Sequence, residues 1–266
     1  MSLWDAIVRR LLTQIINKVM ENYRFCYQEN QFNGECMPCT LAQFKNTVNS
    51  AVVARKIGTR QAIEQALDEG TPLDSYISDN DFRRFCQRQS LDTLCIEQKL
   101  VRWANNLKMW LPCLIFAVRE FEAVPKTDKD GTPVLDAEGN PVLFRSRKQA
   151  NIKELSRLFM FDGDHLPMDP REVYERTLRP GFPWAVRLAH KTSSGHGLRL
   201  VCEARAEIGN IADNQIELAR ELGLLGVKGT TGKPVVDDSC IDASRISYAP
   251  RECDIYYIDE NHLVNF

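Results

Sequence analysis

The segment Leu158-Phe-Met-Phe161-Asp162-Gly163-Asp164-His165 is an apolar run that ends in two carboxylates separated by one glycine. On a β-strand alternate side chains point the same way and lie about 7 Å apart, so Asp162 and Asp164 can converge on one cation, or on a pair about 4 Å apart. Hard carboxylate oxygens select Mg²⁺ or Mn²⁺, ions that bridge the phosphates of a nucleotide. A turn with two solvated aspartates explains the same pair, so other residues must decide.

Three further segments bear on the choice. Lys191-Thr-Ser193-Ser194-Gly195-His196-Gly197-Leu-Arg199-Leu-Val201 sets small residues directly before a strand. Glycines let the backbone approach phosphate, hydroxyls and N–H groups bind its oxygens, and Lys191, His196 and Arg199 add positive charge. A glycine-rich hairpin loop is the competing reading. The loop is not a Walker motif, and Gly226 to Pro234 fails that motif in spacing and in its final hydroxyl. In Val235-Val236-Asp237-Asp238-Ser-Cys-Ile-Asp242-Ala-Ser244-Arg245-Ile-Ser-Tyr248, an apolar pair leads into Asp237, a candidate third metal ligand. Arg245 is placed there either to hold phosphate bidentately or to pair with Asp242. Residues 145–157 gather Arg145, Arg147, Lys148, Lys153 and Arg157 against Glu154 alone. That stretch suits contacts to a nucleic-acid backbone, or a solvated helix face.

The elements that must position these groups fall into two expected regions. Residues 3–23 put Leu3, Ile7, Leu11, Ile15 and Val19 at four-residue steps, an amphipathic helix. Thr40 and Gln43 form a capping box for a helix running to about Lys56, and further helices are expected near 59–69 and 79–109. Residues 1–110 therefore read as an all-helical amino-terminal domain. Trp103 and Trp110, with Lys99, Arg102 and Lys108, combine rings and cations suited to a single strand, or the rings are core. Leu111-Pro112 ends the helices, and residues 111–266 read as an α+β catalytic domain with a mainly antiparallel sheet. Within it, Asp128-Lys-Asp-Gly-Thr-Pro-Val-Leu135 is followed by Asp136-Ala-Glu-Gly-Asn-Pro-Val-Leu143, a tandem repeat of turns in an extended hairpin. Pro133 stands where a calcium loop beginning at Asp128 needs glycine.

Composition bounds the class. The 266 residues are 44% hydrophobic and 26% charged, an ordinary globular mixture, and 34 Lys and Arg against 36 Asp and Glu leave a net charge of −2. A nucleic-acid partner must then be held by local basic patches. No apolar run reaches the roughly 18 residues of a membrane span, so no membrane partner is expected. Asp5, Arg9 and Arg10 interrupt the apolar opening, which excludes a signal peptide. Nine scattered cysteines fit a reducing, cytoplasmic interior. Cys26, Cys36 and Cys39, completed from afar by Cys86 or Cys95, are candidates for a structural Zn²⁺ site; buried free thiols are the alternative.

Taken in order, Phe161-Asp162-Gly-Asp164, Ser193 to Leu200, and Val236-Asp237 with Arg245 downstream resemble the archaeo-eukaryotic primase and primase-polymerase superfamily. Its pattern is an hhhDhD strand, a Ser-x-His motif and a later hydrophobe-Asp. Ser-Gly-x-Gly-Leu-basic and the run from Asp237 to Tyr248 resemble, more narrowly, the VirE N-terminal-like primase domain of bacterial mobile elements and phages. The resemblance covers about residues 105–266. It implies a two-part α/β core with an RRM-like half, and Asp162, Asp164 and Asp237 as ligands of Mg²⁺ or Mn²⁺. It also implies Arg245 as a phosphate contact, with Lys191, Ser193, Ser194, His196 and Arg199 around an NTP or dNTP. The implied activity is priming on a single-stranded DNA template, during replication of a mobile element, plasmid or phage, with a helicase segment commonly following. Arg199 departs from the family by standing in the histidine's place; aligning His196 there instead shifts the strand that follows. A catalytically silent template-binding replication-initiation protein is the non-enzyme alternative, and a sugar-nucleotide glycosyltransferase with Asp-x-Asp is the other enzyme class.

Overall fold

A computed structural model describes residues 23–32, 34–236 and 242–264. The helix expected over 3–23 lies outside these residues except for Tyr23, and so does Asp237. Among the described residues the fold is mixed α+β, and every strand pair is antiparallel.

The first hundred residues are not all helical. Strands β1 (Cys26–Gln28) and β2 (Met37–Pro38) precede α1 (Leu41–Val48), which Thr40 caps by accepting the Gln43 N–H at 3.2 Å. The helix expected to reach Lys56 stops at Val48, because Asn49 and Ser50 favour caps over helix interior. A new helix, α2 (Ala51–Glu69), then runs to Gly70, whose φ of +62° ends it in the left-handed conformation. After α3 (Asp74–Ile77), Asp79 caps α4 (Asn80–Arg88), and α5 (Ile96–Met109) follows. Ile63, Phe82, Leu100 and Trp103 are the buried centre of this helical layer.

Beyond Pro112 come β3 (Cys113–Ile115), β4 (Val118–Phe121), β5 (Ala123–Pro125), β6 (Leu143–Arg145), β7 (Ile152–Leu155) and β8 (Leu158–Gly163). Then α6 (Pro170–Glu175), β9 (Val186–Lys191), β10 (Leu198–Glu203), α7 (Ile211–Glu221), β11 (Ser247–Tyr248), β12 (Ile255–Ile258) and α8 (Glu260–Val264) complete the order. The basic stretch 145–157 is thus strand and a short turn, not a helix face, and Arg119–Glu154 and Lys153–Glu120 ion pairs bridge β4 and β7.

Two four-stranded sheets carry the fold, β11-β3-β1-β2 and β12-β9-β10-β8. Phe25, Phe44, Leu114 and Phe116 meet Leu158, Met160, Leu188 and Val201 in one buried cluster between them. Each such side chain contributes about 1.5–3 kcal/mol when fully buried. The opposite face of the second sheet packs Phe159, Phe161, Leu198 and Leu200 against Val173 of α6 and Leu218 of α7. Because β1 lies between β3 and β2, a boundary at residue 110 cuts through a sheet and its core. Sequence missed this because two strands of three and two residues show no periodicity.

The tandem repeat forms a projecting arm on the β5–β6 pair. Asp128 Oδ1 accepts the N–H groups of Asp130 and Thr132, and Asp136 Oδ1 those of Glu138 and Asn140, all at 2.9 Å. Backbone bonds from Lys126 to Val142, from Val142 to Val134 and from Val134 to Lys126 close a ring.

Candidate active site

The alternation of β8 sends Leu158, Met160 and Asp162 to the face between the sheets, and Phe159 and Phe161 to the helical side. At the end of that inner face the apolar pattern gives way to a polar row. Asp162 is register partner to Arg199 on β10, and Arg199 to His190 on β9. All three are buried. Arg199 donates to Asp162 Oδ2 and, at 3.0 Å, to Ser247 Oγ on β11, tying the two sheets together at this end. Asp162 Oδ1 is buried and has no hydrogen-bond partner among the described residues.

Asp164 sits just past the strand, half-buried, its N–H donating to the Val235 carbonyl at 2.9 Å. Burial and then the Asp162 charge raise its carboxyl pKa, against the opposing pull of Arg199, Lys108 and His165. Val236, the last described residue before Asp237, forms a bridge with Gly163, which lies between the two aspartates in sequence.

Two cations of the helical layer act electrostatically on the same aspartates; sequence reasoning named Lys108 only as a single-strand contact beside Trp103 and Trp110, and it did not name Arg60. Burial lowers the Lys108 pKa, with Arg60 and Arg199 repelling its charge and Asp164 and Asp162 attracting it. Its Nζ lies 5.1 Å from the centre of the Tyr248 ring. Burial likewise lowers the Arg60 pKa, offset by Glu64, Asp164 and Tyr248; Arg60 also bonds Glu64 Oε1 at 3.1 Å. Tyr248, raised by burial and by Cys113, feels Arg199, Arg147 and Arg60. The signal for Arg60 was in the sequence: it interrupts the stripe Val53, Ile57, Ile63, Ala66, all buried on α2. Trp103, by contrast, is core, its ring 5.2 Å from Phe82.

The loop between β9 and β10 closes the site on another side. Gly195 takes φ of +90°, and a Cβ on Gly197 would stand 2.6 Å from the Gly163 carbonyl oxygen, so the glycines let the loop press against the strand end. Thr192 and Ser194 hydroxyls lie 3.2 Å apart, and the His196 carbonyl accepts the Leu166 N–H. Lys191, Ser193, Ser194 and His196 are all half-buried there, and the His196 ring lies 3.5 Å from Asp68 of α2. Arg199 is not aimed outward as a free phosphate contact but is held on Asp162.

The remaining expected residues are more dispersed. Arg245 lines a small cavity with Phe116, Met160 and Gln215, one strand repeat along from Asp162. Arg147 turns inward, donating to the Ser244 carbonyl at 3.2 Å, while Arg145 is half-buried on β6 and Lys148 is exposed. Cys26, Cys36 and Cys39 are buried; burial pushes the Cys36 thiol up to about 12 and raises the other two further. Cys86 and Cys95 belong to the helical layer, on α4 and at the cap of α5. Among the described residues no group of three His, Cys, Asp or Glu side chains is arranged to hold a metal.

The donor set nevertheless fits a hard divalent cation: a buried carboxylate oxygen with no partner, a second carboxylate whose charge is disfavoured where it stands, and only oxygen ligands. Comparison with family models, curated proteins and solved structures found no match. Among the described residues no helix is long and apolar enough to cross a membrane.

Proposed function

We propose that the chain is a divalent-metal-dependent nucleotidyltransferase, a primase or primase-polymerase acting on a single-stranded DNA template with an NTP or dNTP. The observation that carries this reading is the unpartnered buried Asp162 Oδ1 beside Asp164, with Arg199 held on Asp162 and the charges of Lys108 and Arg60 felt at the site. Two carboxylates at one strand end, with cations nearby, are what a metal-bound nucleoside triphosphate requires. The motif order through Val236-Asp237 and Arg245 supports the same reading.

In this reaction a 3′-hydroxyl oxygen bonds to the α-phosphorus, the bond to the β-phosphate oxygen breaks, pyrophosphate leaves, and the hydroxyl proton passes to solvent. Mg²⁺ or Mn²⁺, when bound, lowers the hydroxyl pKa and offsets charge on the phosphoryl oxygens. Asp162 and Asp164 would hold the metal. Arg199 keeps the Asp162 carboxylate oriented through Oδ2, leaving Oδ1 for ligation. Lys108 and Arg60 stabilise negative charge on the polyphosphate, and the Ser193–Gly197 turn offers N–H groups and hydroxyls to its oxygens.

The test is incubation of the chain with single-stranded DNA, labelled nucleotides and Mn²⁺ or Mg²⁺, beside Asp162→Ala. Oligonucleotide products made by the wild type and lost in the variant support the proposal; products unchanged in the variant, or none under any metal and nucleotide, refute it.

A further inference from the structure

Helices α2, α4 and α5 enclose a cleft of about 380 Å³ whose lining includes Arg55, Lys56, Arg84, Arg88 and Trp110. Those four cations face one lining carboxylate, Asp81, which Arg55 already holds at 3.2 Å. Arg84 and Arg88 stand four residues apart on α4, a spacing at which like charges oppose the helix, and neither makes an ion pair among the described residues. Burial, and after it the Arg55 charge, lower the Lys56 pKa. Trp110 is 48% exposed and tilts against Phe32, itself 56% exposed, with ring centroids 5.0 Å apart. An exposed Trp110 ring on the cleft wall, backed by Phe32 and standing with Arg84 and Arg88, matches the chemistry of a base-stacking, phosphate-tracking groove.

The cleft is also wired to the candidate active site. Lys56 Nζ donates to the Trp110 carbonyl at 2.6 Å, Gln31 beside Phe32 accepts from the Tyr248 hydroxyl, and the Tyr248 ring lies under Lys108.

We propose that this cleft binds single-stranded nucleic acid, with Trp110, backed by Phe32, stacking on a base and Arg84 and Arg88 holding phosphates. As the route of a template strand it rests on the nucleotidyl-transfer reading; as a binding surface it stands on its own residues. Charge alone would equally suit an acidic protein segment, but the paired exposed rings favour bases.

The test measures fluorescence anisotropy of a labelled oligo(dT) with the full chain at several salt concentrations. Trp110→Ala is expected to weaken binding about tenfold, the loss of one base–ring stack. Arg84→Gln with Arg88→Gln is expected to flatten the slope of log affinity against log salt by about 1.4, two phosphate contacts at roughly 0.7 each. Both sites are on the surface, and an unchanged thermal melt checks that the variants fold. Failure of the wild type to bind, unchanged affinity and slope in both variants, or equal binding of a duplex or of polyglutamate would overturn the proposal. Cleft-dependent binding without any nucleotide incorporation would sink the enzyme reading alone. Asp162-dependent synthesis with cleft variants that bind normally would sink the cleft alone.

Discussion

Replacing Arg199 with methionine tests the polar row between the sheets most directly. The Arg199 and Asp162 side chains are 9% and 3% exposed, so Arg199→Met leaves a carboxylate in the interior without its counter-charge and strips Ser247 of a donor. Removing one partner of a buried pair costs about 3–5 kcal/mol, and the lost neutral-acceptor bond adds about 1 kcal/mol. Replacing both charges, Asp162→Leu with Arg199→Met, leaves an apolar pair of similar volume and is expected to recover most of that loss. Urea unfolding of the wild type, both single variants and the double variant gives the coupling energy, with the slope of each transition checked for constancy. Mn²⁺ adds a second reading: under the proposed ligation by Asp162 it would offset the carboxylate charge that the lost guanidinium no longer balances, so saturating Mn²⁺ should stabilise Arg199→Met by about 3 kcal/mol at a hundredfold excess over its dissociation constant. An Arg199→Met cost below about 1 kcal/mol, or a double variant as unstable as the single, would refute the buried pair; absence of any Mn²⁺ effect would refute Asp162 as a ligand.

Two further outcomes follow from the same region. His190 is held neutral by burial and by Arg199, its pKa depressed from 6.5 to about 4. The unfolded chain therefore takes up the proton first, and stability should fall as pH drops through that window by on the order of 3 kcal/mol, a slope that His190→Gln removes in pH-dependent unfolding. Gly197→Ala would push a methyl group to 2.6 Å from the Gly163 carbonyl oxygen and 2.8 Å from Thr192 Oγ1; we expect a loss of about 1–3 kcal/mol in chemical denaturation, and a loss near zero would contradict the close approach of loop and strand.

What was legible in the sequence was whatever a single element could display. The run Leu158–Phe161 with its terminal carboxylates shows its alternation locally, and β8 and β10 lie close to where pattern put them. Convergence was less visible. Nothing in α5 says that Lys108 is buried within the field of Asp164 while Trp110, at the helix cap two residues later, is exposed, because a helix period fixes which residues share a face and not what that face meets. Arg199 was legible as a basic residue of the site, but its partner was not: only the β8–β10 register sets it opposite Asp162. The strands at Cys26 and Met37 were hidden for a different reason: β1 takes its place in the sheet from β3, some ninety residues away, and β2 pairs only with β1.

The projecting arm obeys an arithmetic of its own. Each octapeptide folds on its own aspartate, and the backbone ring recurs at Lys126, Val134 and Val142. Deleting one whole unit would bring Lys126 and Val142 into an ordinary two-residue antiparallel pair, whereas removing any smaller number of residues would break a turn. Length variation at this spot is therefore quantised in steps of eight, which makes it a natural place to splice in foreign sequence while the sheets below keep their register.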